Sequence, residues 1–568
     1  MLNFRYIILN KLVLFCVTVL ILLIFSVSNV SITQINNPFY IITSLPFTYW
    51  IGISIIIYLI ILLYKTYNYN IYSNYLLLLI VCLYLYGIPS IIMENPRFMD
   101  VYMHSGMSIS INKTYGIEEF RYSREYPHSF IWFAILLSIT HINALFLLKI
   151  LGILLPLIGI LIMHEILKYI NPKYALLGSL AFSSLFFTDQ GHFSPQAMAL
   201  IFVFSLIYIL TKLLSKNNAQ WQYIILLILF VIVINITNPT TTLIVNTILI
   251  GYLINIYIQR KNYKHFILLN IIFLILWSIY NAKSTTQEII YRVNDLLFNL
   301  GNPSKVVLRT NPHPIYLYFN LTQYVLAIST IISGIVLVIL IFIKRCYSLT
   351  YYPFVITAFI VLCSLLPLSL FEIGEATNTF LQRLYLFILI SWVLLMSISL
   401  SYGVINKFGK RFLIVLTLVS LAVFPLTKYG GDFVNYVPSS LLYTASITPT
   451  DSSLLIYPPL TFSQPFIYES VIHDNYDIVT ARLKYYNYTK DSLEQNLTSI
   501  IASKQHELLP NLLKHINIAI KKDIDYRYYL IHQDRYFIYN LRDTLSNTPN
   551  INKIIDATST EVFHKQLR

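Results

Sequence analysis

Hydrophobic runs of roughly 20 residues recur along this chain, separated by short polar turns. A helix of that length crosses about 30 Å of hydrocarbon. Inside a bilayer only a helix or a closed barrel satisfies its own backbone hydrogen bonds. The runs are continuously apolar and do not alternate, so the pattern predicts helices. They fall at 8–30, 44–64, 72–93, 141–167, 174–188, 194–214, 221–237, 240–259, 265–281, 320–343, 352–371, 382–402 and 410–426. That layout predicts an α-helical polytopic membrane protein with about 13 transmembrane helices. The stretch 128–140 is also apolar; an interfacial helix, a re-entrant helix and part of a long tilted span all fit it. Composition agrees: 57% of residues are hydrophobic and 11% charged, with mean hydropathy +0.67. A soluble chain carries about 25% charge.

Positive charge then sets the orientation. Lys65, Lys168, Lys173, Lys212, Lys216, Arg260, Lys261, Lys264, Lys344, Arg345, Lys407, Lys410 and Arg411 all fall on one side if the N-terminus starts in the cytoplasm. Short loops rich in Lys and Arg stay inside. The net charge of +14 is therefore explained by membrane orientation and not by a nucleic-acid partner. The first run lacks a small-residue cleavage pattern, so it is expected to be an anchor. Segments 94–127, 282–319 and 427–568 are expected outside. Cys16, Cys82 and Cys363 lie in apolar runs and Cys346 in a basic loop, so neither a disulfide framework nor a CxxC metal motif is expected. Walker A, HExxH and GxSxG patterns are missing from the sequence.

Candidate chemistry gathers in the external segments. In Glu94-Asn95-Pro96-Arg97-Phe98-Met99-Asp100-Val101-Tyr102-Met103-His104, a helix puts Asp100 and His104 on one face. A carboxylate at the membrane edge can serve as a general base or hold a divalent cation, so Asp100 is also the candidate metal ligand, with cofactor use left open. Arg97 suits a phosphate. The alternative is a solvated loop whose charges mark the interface. In Asp189-Gln190-Gly191-His192-Phe193-Ser194-Pro195-Gln196, Ser194 fits an N-cap and Pro195 the first helical position, and Asn238-Pro239 makes a similar start. Helix N-termini attract anions, and Asp189 and His192 stand beside this one, although ordinary capping explains it equally. Glu372 and Glu375 end one span and Arg383 begins the next. Arg383 suits a phosphate or an ion pair with either glutamate.

Beyond Lys428 hydropathy falls. Strand-like runs at Ser453–Tyr457, Asp525–Ile531 and Tyr536–Tyr539, with helix-like 491–513, predict a small α/β extracytoplasmic C-terminal domain over 427–568. The remaining units are two N-terminal helices over 1–71 and a transmembrane domain over 72–426 carrying external loop 94–127.

The loop with Asp100 and His104, the Tyr126-Pro127 start, the Phe193-Ser194-Pro195-Gln196 helix start, the 372–383 stretch and the extracytoplasmic tail resemble the GT-C superfamily of membrane glycosyltransferases, in its PMT-like prokaryotic and archaeal branch. The resemblance spans most of 72–568. It implies an inverting transfer of a sugar from a polyprenyl-phosphate donor to a saccharide, lipid or protein acceptor outside the cytoplasm. It also implies a catalytic role for Asp100, with His192 and Arg383 near the lipid phosphate and a divalent cation in some relatives; His104, one turn from Asp100, is a further catalytic candidate and Arg97 a further phosphate candidate from the residues themselves. The competing expectations are a transporter or flippase of lipid-linked saccharides and a noncatalytic envelope-assembly protein. Polar residues at the membrane midplane and repeated halves would mark the transporter.

Overall fold

The computed structural model describes residues 2–28, 30, 40–66, 71–98, 100–114, 121–186, 192–215, 221–242, 314–344, 352–364 and 377–429, scattered residues between 244 and 294, and four strands beyond 450. The helices are α1 (Leu2–Ser28), α2 (Tyr40–Ser44), α3 (Phe47–Thr66), α4 (Ile71–Cys82), α5 (Ile88–Ile92), α6 (Asp100–Thr114), α7 (Arg121–Glu125), α8 (His128–Thr140) and α9 (Ala144–Ile170). They continue as α10 (Pro172–Leu185), α11 (Pro195–Ser215), α12 (Trp221–Asn235), α13 (Pro314–Ile343), α14 (Tyr352–Ser364), α15 (Thr377–Ser401) and α16 (Lys407–Tyr429). The chain is a largely helical, multi-pass membrane protein. Among the described residues 6 helices are long and apolar enough to cross a bilayer: Ser73–Ile92, Ala144–Ile170, Pro195–Leu213, Leu321–Ile343, Arg383–Ser401 and Lys407–Tyr429. Leu14–Ser28, Phe47–Leu62, His128–Thr140 and Trp221–Asn235 are shorter apolar helices. The expected spans 240–259 and 265–281 lie largely outside the described residues.

The apolar stretch before α9 is a helix of its own. His141 takes a left-handed conformation with φ 52°, and the Asn143 side chain accepts from the amides of Leu145 and Phe146 to start α9. A residue in that conformation stops a helix and a side-chain cap starts the next. The continuous tilted span is therefore not formed.

α15 is the central post: its span Arg383–Ser401 is 94% buried. α10 packs closely against it because Gly178 has no Cβ; one built there would lie 2.7 Å from Leu167 Cδ1 and 2.9 Å from Ser397 Oγ. Small residues permit such approach where water exclusion gives no driving force between helices.

Between α4 and α5 the helix widens into a π turn over Leu83–Gly87, followed by Pro89. Proline brings no N–H, so the helical bond from residue 89 back to the Leu85 carbonyl is not made. Tyr49 Oη donates to the Tyr84 carbonyl at 3.0 Å, and Tyr429 Oη donates to that of Leu85. These bonds tie α3 and the end of α16 to the break that leads into the external loop.

Lys168, Lys344 and Lys410 gather at one end of the bundle. Lys168 at the end of α9 bonds Glu165 at 2.6 Å, Lys344 after α13 bonds the Gly403 carbonyl at 3.2 Å, and Lys410 in α16 lies 5.9 Å from the Tyr174 ring near the start of α10. The start of α6, the starts of α11 and α15 and the end of α16 meet at the other. Of the C-terminal expectations, the Ser453–Tyr457 strand is present as β1. With β2 (Ile516–Lys521), β3 (Ile551–Asp556) and β4 (Thr560–Lys565) it forms a sheet of order β1-β2-β4-β3, parallel between β1 and β2 and antiparallel elsewhere. The stretches 491–513, 525–531 and 536–539 lie outside the described residues.

Candidate active site

The external loop leaves α5 through Pro96, Arg97 and Phe98, and Tyr102 Oη returns from α6 to the Pro96 carbonyl at 3.1 Å. This bond fixes where α6 begins. Asp100 occupies its first turn, where a carboxylate is favoured by the free amides of a helix start. His104 follows one turn later and is buried beside the Phe130 ring, 5.8 Å between centroids. The predicted shared face of Asp100 and His104 is formed.

Ser194 and Pro195 start α11 as their residue types require: Ser194 Oγ accepts from the Ala197 amide at 3.1 Å. The Asn238 side chain likewise accepts from the Thr241 amide at 3.0 Å. His192 is thereby held just ahead of α11. Its Nε2 lies 3.9 Å from Asp100 Oδ2, with the aspartate side chain 55% exposed and the histidine 10%. Its ring stacks on Phe98, 4.3 Å between centroids. Phe98 makes this contact from a positive φ of 75°, a strained position for a bulky side chain.

Arg383 lies in the second turn of α15 and donates from Nη1 to Thr240 Oγ1 at 3.1 Å; its buried Nε has no hydrogen-bond partner among the described residues. Burial drives the His104 imidazole down to about 4, with His192 and Arg383 adding to the depression and the Asp100 carboxylate opposing it. Asp100, His192 and Arg383 therefore all act on one buried imidazole, and His104 is neutral at ordinary pH. The Arg97 guanidinium lies over Phe98 at 4.3 Å and Tyr429 at 4.9 Å, and Nη2 donates to the Lys428 carbonyl at 3.1 Å. Arg97 and His192 line one narrow cleft together with Lys149 and Lys428.

Asp189, Glu372 and Glu375 lie outside the described residues. Lys149, Lys428 and Gln196 were not foreseen. Lys149 is a charge within an apolar run, which is itself a signal of function. Gln196 is 3% exposed with neither amide atom hydrogen-bonded among the described residues. Hard divalent cations take six or more oxygen ligands. Asp100 offers one carboxylate, and no three His, Cys, Asp or Glu side chains gather among the described residues.

No protein-family model matches this sequence, and no curated protein matches it. Solved structures that align with the chain include ArnT from Cupriavidus metallidurans bound to undecaprenyl phosphate, at 10% identity over 86% of this chain and 97% of that one, with TM-score 0.48. The apo state of the same protein aligns at 10% identity over 87% and 98%, with TM-score 0.45.

Proposed function

We propose that this chain is an inverting membrane glycosyltransferase, moving a sugar from a polyprenyl-phosphate donor to an acceptor outside the cytoplasm. The observation that carries the proposal is the half-exposed Asp100 carboxylate 3.9 Å from His192, at the end of the bundle opposite Lys168, Lys344 and Lys410. The lysine-rich end lies in the cytoplasm, as the bias of inside loops requires. In this proposal the N-terminus is cytoplasmic, the chain crosses about 13 times, and 427–568 form an α/β domain outside.

Asp100 takes the proton of the acceptor hydroxyl as its oxygen bonds to C1 of the sugar. The C1–O bond to phosphate breaks, and its electron pair stays on the phosphate. Such a leaving group needs positive charge more than a proton donor. Arg383 and Arg97 supply it, His192 offers a ring N–H, and neutral His104 holds the wall behind Asp100. A lipid-linked donor reaches this site from the membrane plane, so no nucleotide-binding loop is needed.

Transfer from a polyprenyl-phosphate sugar by purified Asp100→Asn tests the proposal. General-base loss costs about 10²–10⁴-fold in rate. A folded Asp100→Asn protein with undiminished transfer sinks it.

A further inference from the structure

The turn between α12 and the helical residues that begin at Pro239 touches two other elements at once. On one flank stands His128, the first residue of α8. Its backbone N–H donates to the Ile236 carbonyl at 3.4 Å, and its ring Nδ1 lies 3.0 Å from Thr237 Oγ1. A free amide at one helix start thus meets a carbonyl just past another helix end. On the other flank Thr240 Oγ1 accepts from Arg383 Nη1 at 3.1 Å. The turn between them is cross-braced. Asn238 Oδ1 accepts from the Thr241 amide at 3.0 Å and from its hydroxyl at 3.1 Å, and Thr242 Oγ1 reaches back to the Ile234 carbonyl at 3.1 Å. The Thr237 hydroxyl has one proton, and it goes to the Val233 carbonyl. Toward His128 that oxygen can therefore only accept, so Nδ1 carries a proton and donates it. Phe202 meets the imidazole edge-on, 5.2 Å between centroids, and holds the ring in that orientation.

We infer that His128 is a positioning residue for Arg383: its Nδ1–H fixes the 236–240 turn, and the Thr240 hydroxyl on that turn aims the guanidinium. The inference rests on the glycosyltransfer reading for its effect on rate and on the hydrogen bonds alone for its geometry. A guanidinium is planar, so tethering it through one nitrogen sets the directions in which the others point. A group that must meet developing charge loses up to about 10²-fold in rate when it is misplaced by about 1 Å. What the turn requires of position 128 is a single donor two bonds from Cβ. Asparagine places an amide N–H there, glutamine carries its amide one atom further out, and leucine offers no donor. The residue at 128 can therefore be varied to remove the donor or to restore it without restoring the ring.

The test uses the purified full-length protein in detergent, with two readouts. One is transfer from a polyprenyl-phosphate sugar. The other is the rate at which phenylglyoxal, an arginine-selective reagent, labels Arg383, read by peptide mass spectrometry. His128→Leu and Thr237→Val are each expected to lower kcat/KM about tenfold, and His128→Asn to recover most of the loss seen with leucine. In an Arg383→Gln background His128→Leu should cost less than about twofold, because the residue it positions is gone. Arg383 should label faster in His128→Leu and Thr237→Val than in wild type or His128→Asn. Exposed Arg411, at the other end of the bundle, should keep its labelling rate and report an intact fold. Should His128→Leu fail to fold, Thr237→Val removes the acceptor of the same bond and carries the comparison. Losses that add fully to that of Arg383→Gln, or His128→Asn as slow as His128→Leu, overturn the inference. Arg383 labelling that is equal in all variants also overturns it and, where wild type transfers sugar, leaves the glycosyltransfer reading intact. A wild-type protein with the expected labelling pattern but no transfer from any lipid-phosphate sugar sinks that reading and leaves the positioning role standing.

Discussion

Asp100 Oδ2 lies 3.9 Å from His192 Nε2, a separation too long for a hydrogen bond and within ion-pair reach when the imidazole is protonated. Residues 92 positions apart are brought to this distance because α6 and α11 both begin at the same end of the bundle. If the histidine acts through the aspartate and the donor phosphate, its loss is not additive with loss of Asp100. His192→Gln is expected to lower transfer roughly 10–100-fold, and Asp100→Asn/His192→Gln to be little worse than Asp100→Asn alone. Full additivity of the two losses in kcat/KM would separate them into independent roles.

The apolar runs and lysine turns made the membrane architecture legible, because bilayer thickness and charge bias act on short, local sequence. Ser194-Pro195 and Asn238-Pro239 were legible as helix starts for the same reason: a cap needs only its own neighbours. The meeting of Asp100 with His192 was not, since it depends on how distant helices pack. Lys149 was visible as a lone charge in an apolar run, yet its cleft is completed by Arg97 and by Lys428, which sequence marks only as the end of the last span. Nothing local announces the left-handed backbone of Phe98.

Arg383 separates charge from geometry. Its guanidinium reaches Thr240 with one nitrogen and leaves Nε buried without a hydrogen-bond partner among the described residues. A planar fork holds a phosphate through two bonds, which an ammonium cannot copy. Arg383→Lys is expected to keep a folded protein while lowering kcat/KM about tenfold, and Arg383→Gln to lower it further. Saturation with lipid-phosphate sugar at several donor concentrations reads the effect; Arg383→Lys with wild-type parameters would remove the bidentate role.

His104 predicts a pH dependence of stability. Its folded value is pulled from 6.5 to about 4, chiefly by burial. Between those values the unfolded chain binds more protons, so stability rises with pH through that window and falls as pH drops from 6.5 toward 4. The loss amounts to at most about 3 kcal/mol at the acid end. Thermal unfolding in detergent at pH 7 and pH 5 measures it, and His104→Gln should flatten the difference.

Phe98 inverts an ordinary ranking. Alanine is usually the less costly replacement, but φ of 75° favours glycine. Both substitutions lose the ring that packs on His192 and Arg97, at a cost of about 3–5 kcal/mol. Phe98→Gly should nevertheless be more stable than Phe98→Ala by about 1 kcal/mol. Denaturation midpoints that rank alanine above glycine would show that the backbone adjusts once the ring is gone.

The π turn offers a test that links a single amide to the packing of two helices. Pro89 withholds the helical N–H from the Leu85 carbonyl, and Tyr429 donates in its place, while Tyr49 donates to the neighbouring Tyr84 carbonyl. Tyr429→Phe therefore strands a buried carbonyl, at a cost of about 1–3 kcal/mol. Pro89→Ala restores a local donor, so the hydroxyl of Tyr429 becomes redundant in that background. The cost of Tyr429→Phe should fall below about 1 kcal/mol there, a coupling between positions far apart in sequence. Because Tyr429 also covers Arg97, phenylalanine keeps the ring and isolates the hydroxyl. Equal destabilisation by Tyr429→Phe in both backgrounds would mean that the proline does not set the need for the tyrosine.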